Sequence, residues 1–127
     1  MYKDLERELE RLDPRRLDVL EISGEQWGHL PWRSHTTLDF PAFDLCAPPV
    51  EFAAFDVVVC DQVLEHVRNP LEAVRTLRRL LRPGGHLVVG TPFLIRLHYH
   101  PGDYWRFTPD GLKLLLQSGG LTPLWVR

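Results

Sequence analysis

Phe55-Asp56-Val57-Val58-Val59-Cys60 is followed by Asn69-Pro70-Leu71-Glu72 and then by Pro83-Gly84-Gly85-His86-Leu87. The first run is almost continuously apolar and of strand length, the pattern of a central parallel strand covered on both faces. Asn69 is suited to cap a helix, with Pro70 at its first position and Glu72 as a capping-box carboxylate at its third. Val74, Leu77 and Leu81 form one apolar helix face, and Pro83-Gly84-Gly85 is expected to end the helix. His86 to Gly90 then supplies another short buried strand. Strand, helix and strand in succession imply a parallel crossover and an α/β fold.

Upstream, Leu17 to Ser23 reads as a buried first strand running into a turn at Gly24. Leu5, Leu9 and Leu12 recur at helical spacing among charged residues, predicting an amphipathic helix that Pro14 ends. His35 to Phe40 is a second short strand, and the prolines at 31, 41, 48 and 49 make its surroundings rich in loops. Downstream, Thr108, Pro109 and Asp110 start a helix through Leu112, Leu115 and Leu116 that Gly119 closes. Leu121 to Val126 is expected to form a terminal strand. There is no internal repeat and no low-complexity segment.

The chain has 127 residues, 44% of them hydrophobic and 25% charged, the balance of one globular domain. Its formal charge of −2 supplies no global field toward nucleic acid or an anionic membrane, and small neutral or mixed-charge ligands fit better. Cys46 and Cys60 have neither metal-ligand spacing nor the density of a disulfide scaffold, which makes a reducing cytoplasm the expected setting. Residues 1–12 are charged, and no run approaches the roughly 20 apolar residues of a membrane span. Secretion and membrane insertion are not expected.

With this order established, Val19-Leu20-Glu21-Ile22-Ser23-Gly24 resembles the first-strand motif of class I S-adenosylmethionine-dependent methyltransferases. Phe55 to Cys60, Val63-Leu64-Glu65-His66-Val67 and Leu81 to Leu87 resemble, in order, the family's fourth strand, the helix after it and the fifth strand. Thr91-Pro92-Phe93, followed by His98, Pro101, Asp103, Tyr104, Arg106, Phe107 and Thr108, is similar to the type 11-like subgroup. The resemblance spans about residues 17–121.

Departures from the family pattern are equally informative. The glycine loop reads Ser23-Gly24-Glu25-Gln26-Trp27-Gly28, with two of three glycines displaced or missing. Residues 24–34 leave room for about two helical turns in the first crossover. The few residues between Phe40 and Asp44 cannot hold a parallel crossover, so the family's third strand and its helix are expected to be deleted. The prediction is a reduced Rossmann-like methyltransferase sheet of about four parallel strands, in family order 2-1-4-5, plus the terminal strand, flanked by helices. Its uncovered edges favour a homodimer.

The resemblance implies S-adenosylmethionine as cofactor and methyl transfer to a small-molecule acceptor. Open parallel sheets bind ligands beyond the carboxyl ends of their strands. Glu21, Ser23 and Gly24 are thereby expected at the amino acid part of the cofactor, and Asp39 at the ribose hydroxyls. Asp44 and Leu45 would contact the adenine, and Asp61 and Gln62 the methionine end. After the fifth strand, His98, or alternatively His100, is the candidate base. Asp103, Tyr104, Trp105 and Arg106 are candidate acceptor contacts, Arg106 clamping an anion and Trp105 walling an aromatic. No metal is expected.

Each of these residues also has a plainer role, and for Asp39 and Asp44 it is to cap turns. His98, His100 and Asp103 can staple a loop or, less in keeping with the rest, hold a divalent metal. Glu65 and His66 are expected to point apart as helical neighbours and to serve packing and capping. Arg75, Arg78, Arg79 and Arg82 form a basic stripe at helical spacing, which would touch phosphates only as part of a larger patch and otherwise reads as a solvated helix face. Trp27 and Trp32 can lid the cofactor or plug the space of the missing helix. A cofactor-free descendant acting as a binding or assembly subunit is the competing function.

Overall fold

The computed structural model describes residues 2–97 and 102–124. Its elements are α1 (Tyr2–Arg11), a 3-10 turn (Pro14–Arg16), β1 (Asp18–Ile22), β2 (Ser34–Leu38) and β3 (Phe55–Asp61). A second 3-10 turn (Leu64–His66), α2 (Pro70–Arg79), β4 (Leu81–Gly90) and α3 (Pro109–Ser118) follow. The four strands form one parallel sheet in the order β2-β1-β3-β4. This is the expected 2-1-4-5 arrangement with the family's third strand missing, and residues 39–54 contain neither helix nor strand. No helix among the described residues is long and apolar enough to cross a membrane.

Alternation along the strands divides the core between the two faces of the sheet. Leu20, Ile22, Val58 and Cys60 point toward α2, where Val74, Leu77 and Leu80 are fully buried and α3 packs behind them. Val19, Val57 and Val59 point the other way and meet Leu9 of α1 together with Trp27 and Leu30. Residues 24–33 hold turns and no helix, so the two helical turns expected there do not form. Trp27, 3% exposed, packs into the space on that face, and the Trp32 Nε1 donates to its carbonyl across 2.9 Å. Burying a side chain of this size contributes roughly 2–3 kcal/mol, partly replacing what a packed helix supplies.

Local chemistry sets the helix starts as expected. The Asn69 Oδ1 accepts from the Glu72 amide at 3.2 Å, and the Thr108 Oγ1 from the Gly111 amide at 2.9 Å. α3 ends at Gly119 as expected, whereas the end of α2 and the chain after α3 differ from the reading of the sequence. α2 stops at Arg79, before Pro83-Gly84-Gly85, because Leu81 already pairs with Phe55. Residues 82–85 bulge opposite the single residue Asp56, and a Cβ on Gly85 would lie 2.9 Å from the Arg82 and Asp56 carbonyls. After α3, residues 121–124 form no strand. The Leu121 amide instead bonds to the Leu116 carbonyl as Gly120 takes φ +89°, which closes the helix. Residues 125–127, the rest of the expected terminal strand, lie outside the described residues.

The amino ends of the strands are tied by charge. The Asp18 carboxylate accepts from Arg33, Ser34 and Arg82, and Asp56 accepts from Arg82 and from the Asp18 amide. Arg82 thus belongs to this network and not to the exposed face of α2, where the helical spacing placed it.

Candidate functional site

The carboxyl ends of β1 and β2 finish level, with Ile22 opposite Leu38. Ser23 then turns in the left-handed conformation, φ 57°, and its amide donates to the Leu38 carbonyl across 2.9 Å. That carbonyl belongs to the peptide joining Leu38 to Asp39, so Ser23 and Asp39 sit side by side at the sheet rim. Asp39 is exposed, while its backbone carbonyl accepts from the Phe43 amide. Gly24 follows, half-buried. β3 ends in a matching way: Gln62 has φ 58° and its amide donates to the Gly90 carbonyl at 2.8 Å. A Cβ on Gly90 would stand 2.2 Å from the Asp61 Oδ1, so any larger residue there would displace that carboxylate. Two non-glycine residues in a sparsely populated conformation, both just beyond parallel strands, mark this rim as a functional candidate.

Glu21, on β1, is buried, and its carboxylate is fully engaged within the chain. One oxygen accepts from the Trp27 amide at 2.6 Å and faces the His35 Nε2 at 2.8 Å, and the other accepts from the Gln26 amide at 2.9 Å. Its place is therefore beneath the loop that follows β1. His35 was not singled out in the sequence, although the period-2 pattern carries the signal. His35 is the register partner of Val19, which shares a sheet face with Glu21.

Asp44 accepts from the Cys46 amide at 2.8 Å. Leu45 is buried in the α2-side core, where its carbonyl accepts from the Thr76 hydroxyl. Asp44 and Leu45 thus lie along the stretch that replaces the missing third strand.

His98 and His100 lie outside the described residues. Residues 102–107 form a strap laid against the turn after β3. The Tyr104 and Trp105 amides both donate to the Glu65 carbonyl, at 2.7 and 3.3 Å, and the Trp105 Nε1 donates to the Val67 carbonyl at 2.8 Å. The Asp103 carboxylate is buried and holds Arg106 through both terminal nitrogens, so Arg106 staples the strap from within. Glu65 and His66 do not diverge as α-helical neighbours would. They occupy a 3-10 turn, and the Glu65 Oε2 and His66 Nε2 stand 3.8 Å apart. The His66 Nδ1 donates to the Gly102 carbonyl, which places the neutral ring's proton on that nitrogen. Among the described residues, no three His, Cys, Asp or Glu side chains are grouped to hold a metal ion.

A family profile described as a methyltransferase domain matches residues 1–123. A ubiquinone biosynthesis O-methyltransferase of Cereibacter sphaeroides is 32% identical over 129 residues, covering 87% of this chain and 49% of that protein. The enzymes of the same name from Alkalilimnicola ehrlichii and Ralstonia nicotianae are 41% identical over 63 residues and 32% identical over 94. The first match covers 50% of this chain and 23% of its relative, and the second 61% and 40%. The chain spans about half the length, or less, of these curated relatives. The parallel β2-β1-β3-β4 sheet, the rim beyond its strands and these similarities agree: the chain belongs to the class I S-adenosylmethionine-dependent methyltransferase family, with a shortened sheet.

Proposed function

We propose that the protein binds S-adenosylmethionine at the rim of β1 and β2 and transfers its methyl group to a small-molecule acceptor. The observation that carries this reading is the bond from the Ser23 amide to the Leu38 carbonyl, which holds Ser23, Gly24 and Asp39 together. The group fits these residues. The exposed Asp39 carboxylate is free to accept from two vicinal hydroxyls, and Gly24 leaves its backbone open to a carboxylate. Trp27 does not fill this place, because its indole lies in the α1-side core.

When bound, the cofactor supplies an already activated methyl group, so the protein's work is alignment. Asp39 would fix the ribose, and the Ser23-Gly24 turn the amino acid part. Glu21 would act from beneath by keeping the amides of the loop in place. Tyr104 and Trp105, about half exposed on the strap, and the exposed Phe93, Leu94 and Ile95 just beyond β4 offer apolar walls for the acceptor. An acceptor with an aromatic or other apolar body and a hydroxyl oxygen is consistent with the relatives' name. His98, or else His100, remains the candidate to take the hydroxyl proton. A cytoplasmic homodimer joined through an edge of the sheet completes the proposal.

A specific observation favours the second reading, an assembly subunit without cofactor: both Glu21 oxygens are already engaged by the chain. Thermal melting with S-adenosylhomocysteine separates the two. A ligand at 100 times its dissociation constant stabilises the fold by about 2.7 kcal/mol. The enzymatic reading expects such a rise in the natural protein and its loss in Asp39→Ala, with the ligand-free melting temperature unchanged. An unmoved melting temperature at millimolar ligand supports the assembly subunit.

A further inference from the structure

The arginines of α2 and the neighbouring Arg82 do not simply face solvent. Arg75, Arg78, Arg79 and Arg82 line a hollow of about 810 Å³ on the amino-terminal side of β4, at the edge of the sheet opposite the Ser23 and Asp39 rim. That volume lies within the range of small-molecule sites. Its walls come from three elements: α2, the bulge at Gly84 and Gly85, and the end of α3. A Cβ on Gly84 would meet nothing within 4 Å, and the end of the Arg78 side chain, from Cδ to the guanidinium, rests 3.1–3.3 Å from where a Cβ on Gly120 would stand. Two glycines thus leave backbone open, and one of them seats an arginine.

Internal counter-charges account for only part of this stripe. Arg82 is held by Asp18 and Asp56, and Arg75 by Glu72. Arg79 lies over the Phe52 ring and donates to the Val50 carbonyl. Among the described residues, neither Arg78 nor Arg79 forms an ion pair with a carboxylate. The terminal carbonyls of α2 attract arginines in its last turn, which is the plainer account of this pair. That account explains neither their convergence with Arg75 and Arg82 on one hollow nor the local positive excess in a chain of net charge −2. Guanidinium forks match the oxygens of phosphate, and Arg75 to Arg79 covers about 6 Å along the helix axis, longer than one tetrahedral anion.

We propose that this hollow is a second ligand site, taking a small soluble anion that carries two or more phosphate groups. The proposal is independent of whether the rim binds a cofactor.

The test is titration of the natural protein with inorganic pyrophosphate by calorimetry, beside the double variant Arg78→Gln/Arg79→Gln. A dissociation constant of about 1 mM or tighter, weakened about tenfold or more in the variant, is the expected result. An unchanged ligand-free melting temperature would show that the variant is folded. Absence of heat in the natural protein, or equal affinity in the folded variant, overturns the proposal. A second measurement needs no variant: phenylglyoxal labelling read by mass spectrometry. Pyrophosphate is expected to protect Arg78 and Arg79 and to leave the exposed Arg11 and Arg15 reactive. Protection that is uniform or absent overturns it equally.

Discussion

The Trp27 amide donates to the Glu21 carboxylate across 2.6 Å, joining the loop after β1 to the strand it leaves. With the first crossover reduced to turns, this buried carboxylate does much of the holding that a helix would otherwise do. Glu21→Gln places an amide group against the donors of Gln26, Trp27 and His35. The expected loss is about 2–4 kcal/mol, read from the urea midpoint at constant slope. A loss below about 1 kcal/mol would remove Glu21 as the anchor of the loop.

Cys60 is fully buried on β3, and burial first, then the nearby Glu65 and Asp61 charges, pushes its thiol well above the ordinary range. Cys46 is only half-buried. A disulfide-exchange reagent is therefore expected to label Cys46 in the native protein, and Cys60 at least about a hundredfold more slowly. Denaturant should make both accessible. Equal rapid labelling of the native protein would contradict the placement of β3.

How much of this was legible in the sequence depended on how local the cause was. The starts of α2 and α3 could be read because Asn69-Pro70 and Thr108-Pro109 act within one turn. β3 could be read because a run buried on both faces needs no knowledge of its neighbours. The end of α2 could not, since Pro83-Gly84-Gly85 reads as a terminator and the pairing of Leu81 with Phe55 is set by tertiary structure. The same holds for the rim. The position of Asp39 follows from element order, whereas the partners of Glu21 depend on how residues 24–33 fold back.

At the amino ends of the strands, the hydrogen bonds of Arg33 first, then those of Ser34 and Arg82, hold the Asp18 carboxyl far below its ordinary value of 3.8. Because the folded value is depressed, the unfolded chain binds this proton first as pH falls. The stabilisation is present above about pH 4 and is lost progressively below it. Asp18→Asn is expected to be less stable than the natural protein at pH 7, with the gap closing toward pH 2 in urea titrations. A gap independent of pH would break this linkage.

Gly119 ends α3 where that helix meets α2, and a Cβ there would stand 2.2 Å from the Val74 Cγ1. Val74 is fully buried and stiff at its first torsion, so it cannot swing aside. Gly119→Ala is therefore expected to destabilise by about 1–3 kcal/mol in thermal or urea melts. An unchanged or raised stability would mean that α3 packs differently.

The unequal division of the core has its own consequence. Among the described residues, thirteen buried hydrophobic residues make up the core on the α2 side of the sheet and six the core on the α1 side. Regions of a protein open independently in proportion to what they bury, so the α1 side is the first to breathe. Amide protons of α1 should exchange with solvent ahead of those of α2 and β3. The loop beneath the Ser23 turn sits on this thinner side, where a ligand has the most order left to impose.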